Sequence, residues 1–350
     1  MENDIYGFAR KHGLNERKIV DVSSGICPCG PSKKVKAAIR KAIRDIRLLP
    51  DPSLARLRKT VSSMLGIDGD SLIFGNTVEE LLYLISSVFK PGKVLVDGPL
   101  LDVHSRALCS SGAEVEELDL GEEISTGAGE AGLVFISQPN RITGRLADSG
   151  RLDEMLDFCA TRDDLAVVDE SLIAFTGDNG SCERAAREEA VVVLRTTVNF
   201  YGLPGLGLAY AVSSPGIIER LNGKRRCEVS VLAAAAARAA LRDKSYAQAA
   251  RRYIAAERTF LVQSLQKIGG FTSYDSDSNV LLIKAACPAE EVSAFLSRHG
   301  FLISTWKTGD APSETFFRLS VMEHEKNVKF LRILRQAALI ERAAGGSVTD

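Results

Sequence analysis

Residues 194–210 read LRTTVNFYGLPGLGLAY. The apolar run at 191–194 enters a polar turn at 196–199, and the chain comes back through Gly202, Gly205 and Gly207 into a second apolar run. Strand, turn, glycine bend and strand is the pattern of a buried sheet element that reverses direction. Such a turn lies where an active-site nucleophile would be expected, yet it carries no amine or thiol. The glycines make a bend and do not have the spacing of a dinucleotide fingerprint.

Further short apolar runs flank this stretch. KVLVDG starts at Lys93, EVEELDL at Glu114, GLVFISQ at Gly132, LAVVDE at Leu165 and GLAYAVS at Gly207. Helical periodicity appears at 32–47, 53–66, 77–89, 101–111 and 151–161. Continuous apolar strands alternating with helices predict a mostly parallel sheet covered on both faces. After residue 213 the pattern changes. An alanine-rich stretch at 228–269 reads as helix throughout, and the strands VLLIKA, FLIST and FFRLSV follow, with helices at 288–299 and 323–343. This predicts a second, smaller α+β unit, with a frayed GGSVTD tail.

With 350 residues, 45% of them hydrophobic and 25% charged, the chain has enough material for two cores. A net charge of −1 predicts no nucleic-acid partner. No apolar run approaches the roughly 18 residues of a membrane span, and the N-terminus has no signal pattern, which predicts a cytoplasmic protein without membrane contact. Seven scattered cysteines do not make a disulfide framework, and Cys27-Pro28-Cys29 lacks zinc-site spacing, so no metal is expected. The four histidines are isolated in sequence, and His104 reads as a helix-face residue.

In open sheets of this kind ligands lie beyond the carboxyl ends of the strands. The residues there are Gly98-Pro99, the run 138–141, Asp169-Glu170 and the run 196–199, with Gly75-Asn76-Thr77 before a helix. That helix start is a natural seat for a phosphate, but Glu79 and Glu80 in its first turn oppose an anion.

These segments resemble the fold-type I pyridoxal-phosphate superfamily, and within it the branch of threonine-phosphate decarboxylases and histidinol-phosphate aminotransferases. The likeness runs over roughly residues 20–335 and is carried by DVSSGICPCGPS, LPDPSLARLRKTVSSMLGI, LIFGNTVEELLYLI, GPLLDVHSRAL, ISQPNRITGRL, VVDESLIAF, VLRTTVNFYGLPGLGLAYAV and FFRLSV, in the family's order and spacing. It implies an aminotransferase-like α/β fold. A three-layer α/β/α large domain with a mostly parallel seven-stranded sheet should span residues 36–240. An N-terminal arm over 1–35 should pack on a small α+β domain over 241–343, with a tail at 344–350. The resemblance also implies a homodimer.

Under the same resemblance, the lysine that forms the Schiff base falls at Asn199, and the arginine that binds the cofactor phosphate falls at Gly207. No lysine lies between Lys93 and Lys224. The asparagine that would meet the cofactor's phenolic oxygen is Arg141, the ring-stacking aromatic is Leu101, the aromatic after the aspartate is Leu172, and the tyrosine of the Y-P-D-P element is Leu49. Asp169, partner of the pyridine nitrogen in the family, is retained, as are Thr196, Asn76 and Arg318, the family's clamp on a substrate carboxylate. Asp169, Thr196 and Asn76 are thus candidate cofactor contacts of a relic site, and Arg318 and Arg141 are candidate substrate contacts. For Asp169 a turn-capping role is equally open, and Arg318 could instead pair with an acidic residue.

The expectation is a degenerate family member without covalent cofactor chemistry. No cofactor is expected, and a protein partner or small anionic ligand would occupy the cleft. One alternative is an enzyme using pyridoxal or pyridoxamine phosphate non-covalently on an amino acid or phosphorylated amino acid. The other is an ordinary aminotransferase or decarboxylase.

Overall fold

The computed structural model of the protein describes residues 4–118, 132–226, 228–305 and 315–345. Cys227 and all of the GGSVTD tail beyond Gly345 lie outside the described residues. The chain divides into two compact units. One comprises Cys29–Arg141 and Arg145–Ala249; the other comprises Met1–Pro28, Ile142–Gly144 and Ala250–Asp350.

The first unit is built on a seven-stranded sheet in the order β2-β8-β7-β6-β5-β3-β4. Its strands are β2 (Leu72–Gly75), β3 (Lys93–Asp97), β4 (Glu114–Leu118), β5 (Gly132–Ser137), β6 (Leu165–Asp169), β7 (Val191–Thr196) and β8 (Ala209–Val212). β3 to β7 pair in parallel, while β8 runs antiparallel to both β7 and β2. Period-two alternation sorts the side chains onto two dry faces. Phe74, Val134, Val168, Val193 and Tyr210 pack with helices Ala55–Leu65, Ser149–Thr161 and Val231–Leu241. Ile73, Phe135, Val167, Leu194 and Ala211 pack on the other face with helices Val78–Phe89, Asp102–Leu108 and Pro215–Asn222. Helices on both faces explain why these strands read as unbroken apolar runs. The large unit is therefore a three-layer α/β/α structure with a mostly parallel sheet.

The stretch read as helix throughout 228–269 is instead two helices, Val231–Leu241 and Lys244–Gln266. The break has a cause at Asp243. Its buried carboxylate accepts hydrogen bonds from the Ser245 hydroxyl at 2.8 Å and the Tyr246 amide at 3.5 Å, which starts a new helix. Lys34 Nζ reaches the same oxygen at 2.8 Å. Lys34, followed by the flanking hydroxyls and amide, holds Asp243 down to about 2. Because the folded value lies below that of the unfolded chain, the stabilisation is complete above about pH 4 and is lost as pH falls through about 2. Thermal melts of Asp243→Asn should therefore fall below wild type at neutral pH and converge with it towards pH 2.

The second unit holds β9 (Phe271–Ser273), β10 (Val280–Ala285), β12 (Ser304–Thr305) and β13 (Phe316–Ser320) in an antiparallel sheet ordered β12-β13-β10-β9. β1 (Val20–Asp21) pairs in parallel with β11 (Phe301–Leu302). The segment after β1 is tied to this sheet. Ser320 N donates to Val22 O at 2.7 Å, Gly25 N donates to Ser320 Oγ at 2.9 Å, and Asn279 Nδ2 donates to Gly25 O at 2.9 Å. Among the described residues, no helix is long and apolar enough to cross a membrane.

Candidate functional site

At the carboxyl end of β6, Asp169 is fully buried on the sheet face that also carries Leu165 and Val167. Its Oδ1 accepts the Ser171 amide at 2.9 Å and the Ser171 hydroxyl, an Asx turn that fixes the carboxylate. Its Oδ2 is also buried and accepts no hydrogen bond among the described residues. Two nitrogens approach that oxygen beyond bonding distance, Arg141 Nη1 at 3.7 Å and His104 Nε2 at 3.9 Å. A buried carboxylate oxygen without a hydrogen bond is costly in a folded protein, which makes Asp169 the residue around which the candidate site is described.

His104 stands on the helix that follows β3, is almost wholly buried, and packs edge-on against Phe135 at 5.5 Å between ring centroids. This corrects its reading as a helix-face residue. Its Nε2 also lies 3.8 Å from Glu79 Oε1, so His104 links Asp169 to the start of helix Val78–Phe89. Nothing in the local sequence selects that face. The one available signal is position, since the helix begins just beyond the carboxyl end of β3. The other isolated histidines include His324, whose Nδ1 meets Glu257 Oε1 at 2.9 Å in the second unit.

The helix start at 75–80 is capped from within. Thr77 Oγ1 accepts the Glu80 amide at 3.0 Å, and Glu80 Oε2 accepts the Asn76 backbone amide at 2.9 Å and the Asn76 side-chain amide at 3.0 Å. This is a reciprocal cap of the Thr-x-x-Glu kind. The Asn76 amides just before the helix are thus taken by the Glu80 carboxylate and the Glu80 amide by the Thr77 hydroxyl, and Glu79 adds a second negative charge. On the neighbouring bend, a Cβ added to Gly207 would lie 2.6 Å from the Asn76 carbonyl oxygen. The backbone thus closes onto the loop where the resemblance calls for an arginine. Gly207→Ala should lower the melting temperature by several degrees, because this contact is with backbone. A melt unchanged from wild type would contradict the close approach.

Asn199 is buried in the short helix Val198–Tyr201 that follows β7, and the helix ends at Gly202. Thr196 Oγ1 donates to Leu208 O at 2.9 Å and accepts the Val198 amide at 3.1 Å, so its hydroxyl serves the turn. Phe200 packs edge-on against Phe175, Tyr201 and Tyr246, and the Tyr246 hydroxyl donates to Gly30 O at 2.9 Å and Phe200 O at 3.2 Å. The first unit therefore brings Asp169 and Arg141 together, with His104 and Glu79 beside them. Asn76 lies in the cap, and Thr196 and Asn199 in the turn after β7. Arg318 belongs to the second unit. It is buried on β13 and donates to the Ser23 carbonyl through Nη2.

A second buried charge pair stands on the opposite face of the sheet. Arg195 Nε donates to Glu170 Oε2 at 2.8 Å, Arg195 Nη2 donates to Asn179 O, and the Ser181 amide donates to Glu170 Oε1 at 2.5 Å. Burial pulls the Arg195 guanidinium down, but Glu170, Cys182 and Tyr210 together outweigh it and hold it above its ordinary range. Burial also pushes the Cys182 thiol up to about 12. This pair was not foreseen from the sequence, where its members stand 25 residues apart.

Residues 17–334 match the sequence profile of the family described as aminotransferase class I and II. A protein of Caldanaerobacter subterraneus subsp. tengcongensis, named provisionally as a threonine-phosphate decarboxylase, is 28% identical over 89% of this chain and 88% of its own. A histidinol-phosphate aminotransferase of Methanosphaera stadtmanae is 26% identical over 94% and 93% of the two chains. The solved structure of histidinol-phosphate aminotransferase from Sinorhizobium meliloti, a complex with pyridoxal-5'-phosphate, is similar in fold. Its TM-score is 0.85 at 20% identity, covering 96% of this chain and 94% of that one.

Proposed function

Because the chain belongs to the aminotransferase class I and II family, we propose that it is a degenerate member of that family, a binding or partner subunit without covalent pyridoxal-phosphate chemistry. The observation that carries this reading is where lysine is missing. None lies between Lys93 and Lys224. Of the seven strands of the first unit's sheet only β3 holds one, Lys93, at its amino end and paired with Glu116. The carboxyl ends of β3 and β5 to β7, where the site is assembled, carry no amine from these strands or the turns that follow them. Asn199 takes the position at which the resemblance puts the Schiff-base lysine. Its amide is neither nucleophilic nor a proton carrier near neutral pH.

The remaining residues do not fit the phosphorylated cofactor. Asp169 Oδ2 suits a ring N–H, but the phosphate end presents Glu79 and Glu80, and Gly207 has no room for a side chain. No reaction step is therefore derived through that group. One observation favours the non-covalent alternative, the hydrogen-bond capacity left on Asp169 Oδ2.

The test is turnover with pyridoxal phosphate added, on threonine O-3-phosphate for decarboxylation and on histidinol phosphate with an α-keto acid as amino acceptor for amino transfer. Neither product should form above the protein-free rate. Turnover of either substrate would replace this reading with an active enzyme. Asn199→Lys alone should leave both rates at background, since the phosphate end is unchanged.

As an assembly the reading implies a homodimer. Ile43, Ile46, Leu48 and Leu49 are all more than half exposed, Leu49 to 91%, four exposed large apolar side chains within seven residues, interspersed with Arg44, Asp45 and Arg47, of the kind that subunit contacts cover. Sedimentation at micromolar concentration should show a dimer, and Leu49→Asp should shift it towards monomer. A monomeric wild type would refute the assembly.

A further inference from the structure

Asparagine followed by glycine is open to self-modification. The next backbone nitrogen can close a five-membered ring on the side-chain carbonyl carbon, and glycine has no Cβ to crowd it. The chain has two such pairs, Asn179-Gly180 and Asn222-Gly223, in opposite settings. Asn222 ends helix Pro215–Asn222, and the Gly223 amide donates to the Glu219 carbonyl at 3.1 Å in a right-handed helical conformation. A helix carbonyl is no base and holds that nitrogen away from attack. Asn179 is exposed in the turn before helix Cys182–Ala185, and its side chain makes no hydrogen bond among the described residues.

The peptide unit that joins Asn179 to Gly180 is held by a charged group at each end. Its N–H donates to Asp178 Oδ1 at 2.7 Å, and its carbonyl oxygen accepts from the Arg195 guanidinium. An amide nitrogen attacks carbon only as it gives up its proton, and negative charge then spreads onto its carbonyl oxygen. A carboxylate on the N–H lies within reach of that proton, and a buried guanidinium on the oxygen stabilises the charge that develops. We propose that Asn179 is a self-deamidation site, activated by Asp178 and Arg195 acting on the two ends of one peptide unit. The Gly180 nitrogen bonds to Asn179 Cγ as its proton passes to Asp178. The Cγ–Nδ2 bond breaks, the proton is returned to Nδ2, and ammonia leaves. Water then opens the ring at either carbonyl and gives aspartate or isoaspartate. Opening at the carbonyl that Arg195 holds makes that oxygen part of a free carboxylate, a second anion on a guanidinium already paired with Glu170. A change in an exposed turn thereby reaches the buried charge pair.

The test follows conversion of Asn179 and Asn222 at neutral pH by peptide mapping, with isoaspartate methyltransferase labelling to identify the product. The samples are the full chain as wild type, as Asp178→Ser and as the Arg195→Met, Glu170→Leu double variant, beside a synthetic peptide of residues 174–185. Serine keeps an acceptor for the Gly180 amide and removes the base. In the folded wild type Asn179 should convert at least about tenfold faster than in the peptide, and faster than Asn222 by at least the same factor. Both variants should fall to the peptide's rate or below it. A folded wild type no faster than the peptide would overturn the proposal, as would a folded variant of either kind that keeps the wild-type rate. If a variant does not fold, the comparison of wild type with the peptide decides.

Discussion

Arg195→Ala is expected to cost about 3–5 kcal/mol of stability, a fall of roughly 10 °C in melting temperature for a unit of this size. The loss comes less from the missing bond than from what is left behind. Glu170 is about 1% exposed, and without the guanidinium its carboxylate would be buried with only the Ser181 amide and the distant Cys182 thiol as hydrogen-bond partners among the described residues. Arg195 also donates to Asn179 O, so that carbonyl loses a donor as well. Gly180→Ala should reach a similar loss by another route. Gly180 sits at φ +67°, and a Cβ there would lie 2.4 Å from both Glu170 oxygens and 2.5 Å from Arg195 Nη2. Replacing both charged partners together, as Arg195→Met with Glu170→Leu, should recover much of the stability, because no unpaired charge is then buried. Urea unfolding of Arg195→Met, Glu170→Leu and their double variant closes the cycle, and additive losses would contradict a coupled pair.

The second large effect belongs to the bend after Asn199. Gly202 has φ +62°, and a Cβ on it would lie 2.7 Å from Gly30 Cα and 3.0 Å from Gly30 C. Both obstacles are backbone and cannot rotate away. The left-handed conformation costs a non-glycine residue about 1 kcal/mol, and overpacking against main chain adds about 1–3 kcal/mol. Gly202→Ala should therefore unfold at about 2–4 kcal/mol lower stability, while Asn199→Ala should cost less because the turn's backbone is kept. The contrast accounts for a frame that persists without a nucleophile. Val191 to Val193 are fully buried in the sheet, Phe200 anchors the turn to Tyr246, and Gly202 passes against Gly30. None of those roles needs an amine. Equal losses for the two variants, measured by urea unfolding, would assign the turn's stability to the Asn199 side chain instead.

The sheet was legible because each strand is buried on both faces, so β5, β6 and β7 appear as apolar runs bounded by polar turns. The place of Asp169 at the carboxyl end of β6 was legible as well, since the apolar run stops there. The break at 242–243 was hidden by alanine-rich sequence on both sides. It depends on Lys34 reaching Asp243 across 209 positions of chain. His104 was misjudged because its burial is decided by Phe135, Glu79 and Asp169, three residues on other elements. Glu170 was masked by its neighbour. Consecutive strand-end residues point to opposite faces, and the sequence does not say that Arg195 waits on the second one. The acidic first turn was visible in Glu79 and Glu80, but the approach of Gly207 to the Asn76 carbonyl exists only in three dimensions.

The central claim is that no lysine of this chain forms a stable imine with pyridoxal phosphate. Purified wild-type protein is incubated with pyridoxal phosphate, reduced with borohydride, desalted and analysed by intact mass with peptide mapping. The account predicts no stoichiometric adduct, only trace modification spread over exposed lysines. One reduced pyridoxyl group per chain, mapped to a single lysine, would contradict it.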